Sequence, residues 1–257
     1  MFARSKDDCD LHYEVTGDGD VALVFVHGWM GNVRWWDAQR DAFAKTHRIV
    51  ALDLAGHGQS SRSRTVWTAE AYANDIVAVV RAVSATRIVL VGHSMSGAYA
   101  IAAAPDIDRL AALILVDTLK NLDAVPTAKD VAPMLERYRA DYQTAVATML
   151  PQFLFAPGTP RVVADRLTRE FLAVSGDTAA SLLEPLYHYD ARSAARRVRV
   201  PVRGIGTDLH PHDIAANRAY FANYAYVDIA GYGHYPMLEA PDVFNAALRT
   251  QLSELGL

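Results

Sequence analysis

The chain has almost no cysteine and no excess of basic residues. Cys9 is the only cysteine among 257 residues, so no disulfide can form within the chain, and we expect a surface or terminal thiol. Lysine and arginine total 25 against 29 aspartates and glutamates, which gives a net charge of −4. A protein that binds a phosphate backbone needs a basic face. Nucleic acid is therefore not an expected partner.

Long apolar runs are also missing. No stretch approaches the roughly 20 apolar residues that cross a bilayer, and residues 1–10 lack the apolar segment of a secretory signal. We expect a cytoplasmic protein with no membrane partner. The hydrophobic fraction is 51%, and a chain of this length can form one core. The oligomeric state is left open.

Short β-branched runs alternate with amphipathic stretches along most of the chain, which indicates βαβ units and an α/β fold with a mainly parallel sheet. Predicted strands lie at 11–15, 21–26, 48–52, 87–91, 110–116, 200–205 and 224–229. Predicted helices lie near 33–46, 69–83, 95–104, 214–222 and 241–255. The segment 16–20 is rich in glycine and aspartate, so we expect the first two strands to form a hairpin.

The alternation stops between residues 119 and 197. This region contains the helical stretches 131–150, 162–174 and 179–187, separated by prolines, and no convincing strand. We therefore predict a helical cap, about 119–197, inserted into a single domain whose core is formed by residues 1–118 and 198–257.

Ser94 stands where a buried strand turns sharply into a helix. The sequence GHSMSG at 92–97 follows the strand RIVLV and opens a helix of small residues. Such an elbow strains the serine backbone and lifts its Oγ above the sheet. The usual pattern is G-x-S-x-G, and here Ser96 replaces the last glycine. We expect Ser94 to be a nucleophile rather than a helix cap.

A serine hydroxyl needs a base within hydrogen-bond reach. Of the nine histidines, His234 lies in the loop GYGHYPM that follows the last strand. In a parallel sheet that loop lies at the same edge as the elbow. His27 and His57 are expected to brace loops, and His93 to pack under the elbow. His210 and His212 are weak evidence for a metal, so no metal site is predicted.

The carboxylate that would orient His234 has three candidates. Asp208 follows the strand 200–205 and is preferred, because it keeps the chain order Ser, Asp, His. Its spacing of two residues from Gly206 is one short of the common pattern. Asp117, at the end of the strand 110–116, is the alternative acid, and Asp213 comes third.

Two backbone N–H groups are expected to form an oxyanion hole. The Met95 N–H follows the nucleophile directly. The second donor should come from the loop HGWMG at 27–31, which makes the Trp29 N–H the candidate. Gly28 lets that backbone approach a substrate closely.

Four segments, taken together, resemble the α/β-hydrolase superfamily: HGW at 27–29, DLAGHGQS at 53–60, GHSMSG at 92–97 and GYGHYPMLEAP at 231–241. The resemblance covers nearly the whole chain. It implies about eight strands, with the cap inserted after the sixth, no cofactor, and serine hydrolase chemistry.

The residue at position 94 is serine, which disfavours the branches of this fold that use an aspartate nucleophile. A carbonyl substrate is then expected, and we favour a small, largely apolar carboxylic ester cleaved through an acyl-enzyme. The alternatives are a lactone, a C–C bond beside a ketone, and perhydrolysis, because Trp29 and Met95 resemble the residues of cofactor-free perhydrolases. A binding protein without turnover is the alternative from another class.

Overall fold

A single eight-stranded sheet organises the computed structural model, which describes all of residues 1–257. The strands are Phe2–Arg4 (β1), Asp10–Thr16 (β2), Val21–Val26 (β3), Arg48–Leu52 (β4), Arg87–His93 (β5), Leu110–Val116 (β6), Val202–Thr207 (β7) and Tyr224–Ile229 (β8). Their order is β1-β2-β4-β3-β5-β6-β7-β8. β3 to β8 run parallel, and β1 and β2 pair antiparallel. The predicted α/β class is confirmed.

The central strands are apolar throughout because helices cover both faces of the sheet. All six residues of β3 are buried, as are the last six of β5 and the last five of β6. These strands fix the carboxyl edge of the sheet, where the loops after β3, β5, β6 and β8 meet.

The predicted hairpin between the first two strands is wrong. β2 pairs with β4, where Tyr13 lies opposite Leu52, and its other edge pairs with β1, a strand that the sequence did not predict. β3 instead lies between β4 and β5. Parallel neighbours on both sides bury the two edges of this apolar strand. An antiparallel hairpin at the margin of the sheet would leave one of these edges exposed.

Cys9 also departs from expectation. Its side chain is buried, with only 1% exposed, and its N–H donates to Ser5 Oγ over 2.8 Å. The turn between β1 and β2 folds inward and carries the thiol with it, so Cys9 is not a surface thiol.

Eleven α-helices connect and cover the strands. They are Asp37–Phe43 (α1), Ala69–Ala82 (α2), Met95–Ala103 (α3), Ala128–Ala140 (α4), Tyr142–Met149 (α5), Arg161–Phe171 (α6), Gly176–Tyr187 (α7), Ala191–Ala195 (α8), Ile214–Arg218 (α9), Pro236–Glu239 (α10) and Pro241–Glu254 (α11). The predicted helix at 33–46 divides into a 3₁₀ turn, Val33–Trp36, and α1. No helix combines the length and the apolar character that crossing a bilayer requires.

The five helices α4–α8, here called the inserted helices, lie between β6 and β7. The predicted helix 131–150 is two helices, because the chain breaks at Asp141, whose carboxylate accepts the Thr144 N–H that begins α5. α5 continues into a π turn, Leu150–Leu154. This region contacts loops at the carboxyl edge of the sheet: Trp29 Nε1, after β3, donates to Ala179 O in α7, and His234 N, after β8, donates to Leu154 O in the π turn.

Candidate active site

Ser94 occupies a strained turn between β5 and α3. Its φ and ψ are 53° and −123°, a conformation that non-glycine residues adopt at a cost of about 1–3 kcal/mol. Two bonds from the loop after β6 hold the turn: Ser94 N donates to Val116 O over 3.0 Å, and Thr118 Oγ1 donates to Ser94 O over 2.6 Å. The turn therefore presents its hydroxyl at the carboxyl edge of the sheet.

Small side chains let α3 pack closely behind the turn. A Cβ added at Gly97 would stand 2.3 Å from the Thr118 Cγ2 methyl, so glycine is required there. Ser96, which replaces the usual glycine, is buried, and its Oγ donates to the carbonyl of His27. The extra hydroxyl thus links the elbow to the end of β3 and to the loop that follows.

His234 lies against Ser94, with its Nε2 2.8 Å from Ser94 Oγ. Its backbone is held on both sides: its N–H donates to Leu154 O over 2.8 Å, and its carbonyl accepts from His93 Nε2 over 2.9 Å. Burial and the nearby His234 lower the pKa of His93 to about 3, so His93 is neutral. His93 therefore supports the loop that carries His234, whereas the sequence predicted only that it packs under the elbow.

Glu239, in α10, holds the loop that carries His234. This buried carboxylate accepts the N–H groups of Gly233 at 2.8 Å and Tyr235 at 3.0 Å, one on each side of His234. It also accepts the Thr159 hydroxyl over 2.6 Å. Glu239 lies in the segment GYGHYPMLEAP, but the sequence alone predicts no role for it. The available signal was a glutamate five residues after the histidine, just before a helix.

The structure corrects the choice of acid. Asp117 Oδ2, not Asp208, lies 2.6 Å from His234 Nδ1. Asp208 is directed to the backbone of the loop after β8, where its Oδ1 accepts the Gly231 N–H over 2.8 Å. Asp213 caps the start of α9 by accepting the Ala216 N–H. The end of β6 lies beside the elbow, since β5 and β6 are neighbours, and this brings Asp117 within reach.

Lys120 completes the surroundings of Asp117. Its Nζ lies 2.8 Å from Asp117 Oδ1 and donates to the carbonyls of Thr207 and His210 over 2.7 and 3.0 Å. Burial alone would raise the pKa of Asp117, but the hydrogen bond and charge of His234 and the charge of Lys120 outweigh it and hold that pKa well below its usual range. Asp117 is ionised at neutral pH, and its two carboxylate oxygens contact His234 and Lys120. The sequence analysis missed this lysine, three residues after the aspartate.

The two predicted oxyanion donors lie beside this group. Met95 is the first residue of α3, so its N–H has no acceptor within the helix. The Trp29 N–H donates to no other backbone group, and the loop that carries it approaches the elbow so closely that a Cβ at Gly28 would stand 2.7 Å from His93 Nδ1. The Trp29 indole is fixed by its bond to Ala179 O and by stacking on Tyr138, with 5.3 Å between ring centroids.

Two cavities meet at Ser94. The first, here called the chamber, has a volume of about 230 Å³, and twelve of its fifteen lining residues are hydrophobic, among them Trp29, Tyr138 and Phe171. The second, here called the cleft, has about 380 Å³, is more open to solvent, and includes Thr118, Lys120 and Asn121. An apolar and a polar surface therefore flank the same hydroxyl.

The histidines that suggested a metal have other partners. His210 Nε2 lies 2.9 Å from Phe153 O, while His212 stacks on Tyr226, with 3.6 Å between ring centroids. No group of three or more histidine, cysteine, aspartate or glutamate side chains is arranged to hold a metal ion.

A sequence model of the alpha/beta hydrolase family matches residues 23–247. The chain belongs to this family. Among curated relatives of this α/β-hydrolase, the bifunctional esterase/perhydrolase DCH of Acinetobacter calcoaceticus is 35% identical over 126 residues, 47% of this chain and 45% of that protein. The AB hydrolase superfamily protein YisY of Bacillus subtilis is 25% identical over 261 residues, 96% of this chain and 97% of that protein.

The matched part of this α/β-hydrolase spans less than half the length of the first curated relatives. Among solved structures, the malate-bound thermophilic esterase of Thermogutta terrifontis superposes with a TM-score of 0.85 at 25% identity, covering 99% of this chain and 98% of that one. The eight strands and their flanking helices agree with this neighbour, which confirms the family predicted from the four sequence segments.

We expect Asp117→Asn to slow the reaction of Ser94 with a fluorophosphonate by about three orders of magnitude or more, because an amide neither fixes the imidazole tautomer nor stabilises its charged form. Intact-mass spectrometry measures the labelling rate. Asp208→Asn is the matched control and should label like the wild type, since an amide oxygen can still accept the Gly231 N–H. Equal losses in the two variants would contradict the role of Asp117.

Replacing Lys120 with methionine removes the positive charge that lies 2.8 Å from Asp117 Oδ1. Lys120 helps to hold the pKa of Asp117 well below its usual range, so without it the carboxylate takes up a proton at a higher pH, and the acidic loss of labelling moves to higher pH. The labelling rate is followed across the acidic range. Lys120→Arg keeps the charge and should leave the acidic limb in place. An acidic limb that stays fixed in Lys120→Met would show that the ion pair does not influence Asp117.

Proposed function

We propose that this protein is a serine hydrolase that cleaves a carboxylic ester of a small, largely apolar substrate through an acyl-enzyme. One observation carries the proposal: His234 is hydrogen-bonded to Ser94 Oγ through Nε2 and to Asp117 through Nδ1. A base within reach of a hydroxyl, and an ionised carboxylate behind that base, form the arrangement that activates a serine.

In the first step Ser94 Oγ attacks the ester carbonyl carbon while His234 Nε2 takes the hydroxyl proton. Asp117 stays ionised and stabilises the imidazolium. His234 then gives the proton to the departing alcohol oxygen, and the acyl group remains on Ser94. A water molecule attacks the acyl-enzyme, His234 takes its proton, and the carboxylic acid leaves as Ser94 recovers its hydrogen.

The negative oxygen of each tetrahedral intermediate would lie between the N–H groups of Trp29 and Met95. Each such donor lowers a barrier by about 3–4 kcal/mol where it has been removed in other enzymes. The Trp29 side chain is fixed by α7 and by Tyr138, so its backbone donor is held in position before substrate arrives. The dipole of α3 adds to the field at the same point.

The two cavities suggest how an ester lies in the site. The alcohol leaves before water enters, so it fits the more open cleft, while the acyl group stays through both steps and fits the apolar chamber. A cavity of about 150 Å³ holds a benzene molecule, and the chamber measures about 230 Å³. A short aliphatic or single-ring acyl group therefore fits within it. In this proposal residues 119–197 act as a cap on a single domain.

The proposal is tested with p-nitrophenyl acetate and butyrate. Wild type should turn over both esters, and a fluorophosphonate should add once, at Ser94, by peptide mass mapping. Ser94→Ala should lose at least about a thousandfold in kcat/KM. Ser63→Ala, at an exposed serine in the loop before α2, is the control and should keep both activity and labelling. A folded wild type with neither turnover nor adduct would refute the catalytic role and favour ligand binding.

Perhydrolysis is the second candidate, favoured by the similarity to the esterase/perhydrolase of Acinetobacter calcoaceticus over 126 residues. Hydrogen peroxide would replace water in attacking the same acyl-enzyme and release a peracid. Adding peroxide to an acetate ester should then produce peracetic acid in wild type and none in Ser94→Ala. Hydrolysis of a lactone or of a C–C bond beside a ketone would use the same three side chains.

A further inference from the structure

A third cavity lies directly behind the chamber. This outer cavity, of about 420 Å³, is formed between α4, α5 and the π turn. Four of its lining residues also line the chamber: Met134, Tyr138, Met149 and Phe153. The two spaces are therefore adjacent and share part of their lining.

Two of the shared side chains are methionines, one on α4 and one at the end of α5. Methionine is unbranched, has three rotatable bonds and adapts to irregular apolar space. Phe153 lies on the π turn and is 49% exposed, so the partition is loosely packed on its outer side. Rotation of Met134 and Met149 would join the chamber to the outer cavity while the helices stay in place.

We propose that the outer cavity is a second subsite, which binds the distal half of a long aliphatic acyl chain whose carbonyl lies at Ser94. This inference rests on the proposed ester hydrolysis and extends its substrate class to medium-chain and long-chain acyl esters. A butyryl group ends inside the chamber. A cavity of about 150 Å³ holds one benzene molecule, so the chamber of about 230 Å³ is too small for a ten-carbon chain. The end of a decanoyl chain therefore passes between the two methionines.

The lining of the outer cavity suits a hydrocarbon chain. Its apolar lining includes Pro133, Ala145 and the two methionines, and three polar residues, Arg137, Thr148 and Gln152, also line it. Each methylene that leaves water for such a surface strengthens binding by roughly threefold to fourfold. Methylenes beyond the chamber strengthen binding only when the outer cavity is free to receive them.

Thr148→Trp tests the subsite. Thr148 is exposed and lines the outer cavity but not the chamber, so a tryptophan there fills the outer space and leaves the surroundings of Ser94 unchanged. We expect kcat/KM for p-nitrophenyl decanoate to fall by about tenfold or more, the equivalent of a few buried methylenes. The value for p-nitrophenyl butyrate should stay within about twofold of wild type, inside the usual scatter of a neutral surface change.

Gln143→Trp is the matched control. It places the same side chain on the same helix, at an exposed position that lines neither cavity, and both esters should be hydrolysed as by wild type. Met149→Ala, which opens the partition, should raise the ratio of decanoate to butyrate activity.

Two results would overturn the subsite: a wild type that hydrolyses butyrate but not decanoate, or a Thr148→Trp variant that keeps the wild-type ratio. Failure of the underlying ester hydrolysis is recognised separately, because butyrate turnover would then be absent in wild type and in every variant.

Discussion

The close approach of α3 to the sheet at Ser94 is the constraint on which the rest of the site depends. A serine with φ of 53° persists only where its neighbours hold the turn from both sides. Thr118 and Val116 hold it from the end of β6, and Ser96 joins it to the end of β3. Three adjacent strands therefore end at one point, and Ser94, Asp117 and the loop that carries Trp29 are brought there by the same packing.

Much of this arrangement could be predicted from local sequence. Buried strands such as β3 and β6 are nearly continuous apolar runs, and the elbow combines a strand, a short turn and a small-residue helix in one stretch, from Arg87 to Ala103. The position of His234 followed from its place after the last strand. By contrast, the false hairpin, the unpredicted β1 and the buried Cys9 all concern how the first residues pair. Strand pairing is decided by distant partners, and β4, which separates β2 from β3, follows both of them in the chain.

The choice between Asp117 and Asp208 also depends on strand order, which the local sequence does not give. Asp117 and Asp208 both follow strands at the carboxyl edge, and only the spatial order of those strands brings Asp117 beside His234. Lys120 and Glu239 contact the loops after β6, β7 and β8. Their contacts depend on how these loops fold together, which the local sequence does not indicate. Asp117 itself has φ of 41°, a conformation that aspartate tolerates better than most residues. This strain could not be inferred from a sequence that reads as a simple strand end.

The hydrogen bond from Trp29 Nε1 to Ala179 O joins the loop after β3 to α7. Residue 29 therefore belongs to two parts of the fold at once, with its main chain at the carboxyl edge of the sheet and its indole against α7 and Tyr138. A substitution at this position disturbs both parts, so the loss of activity in a Trp29 variant would not separate the contribution of the main-chain N–H from that of the indole.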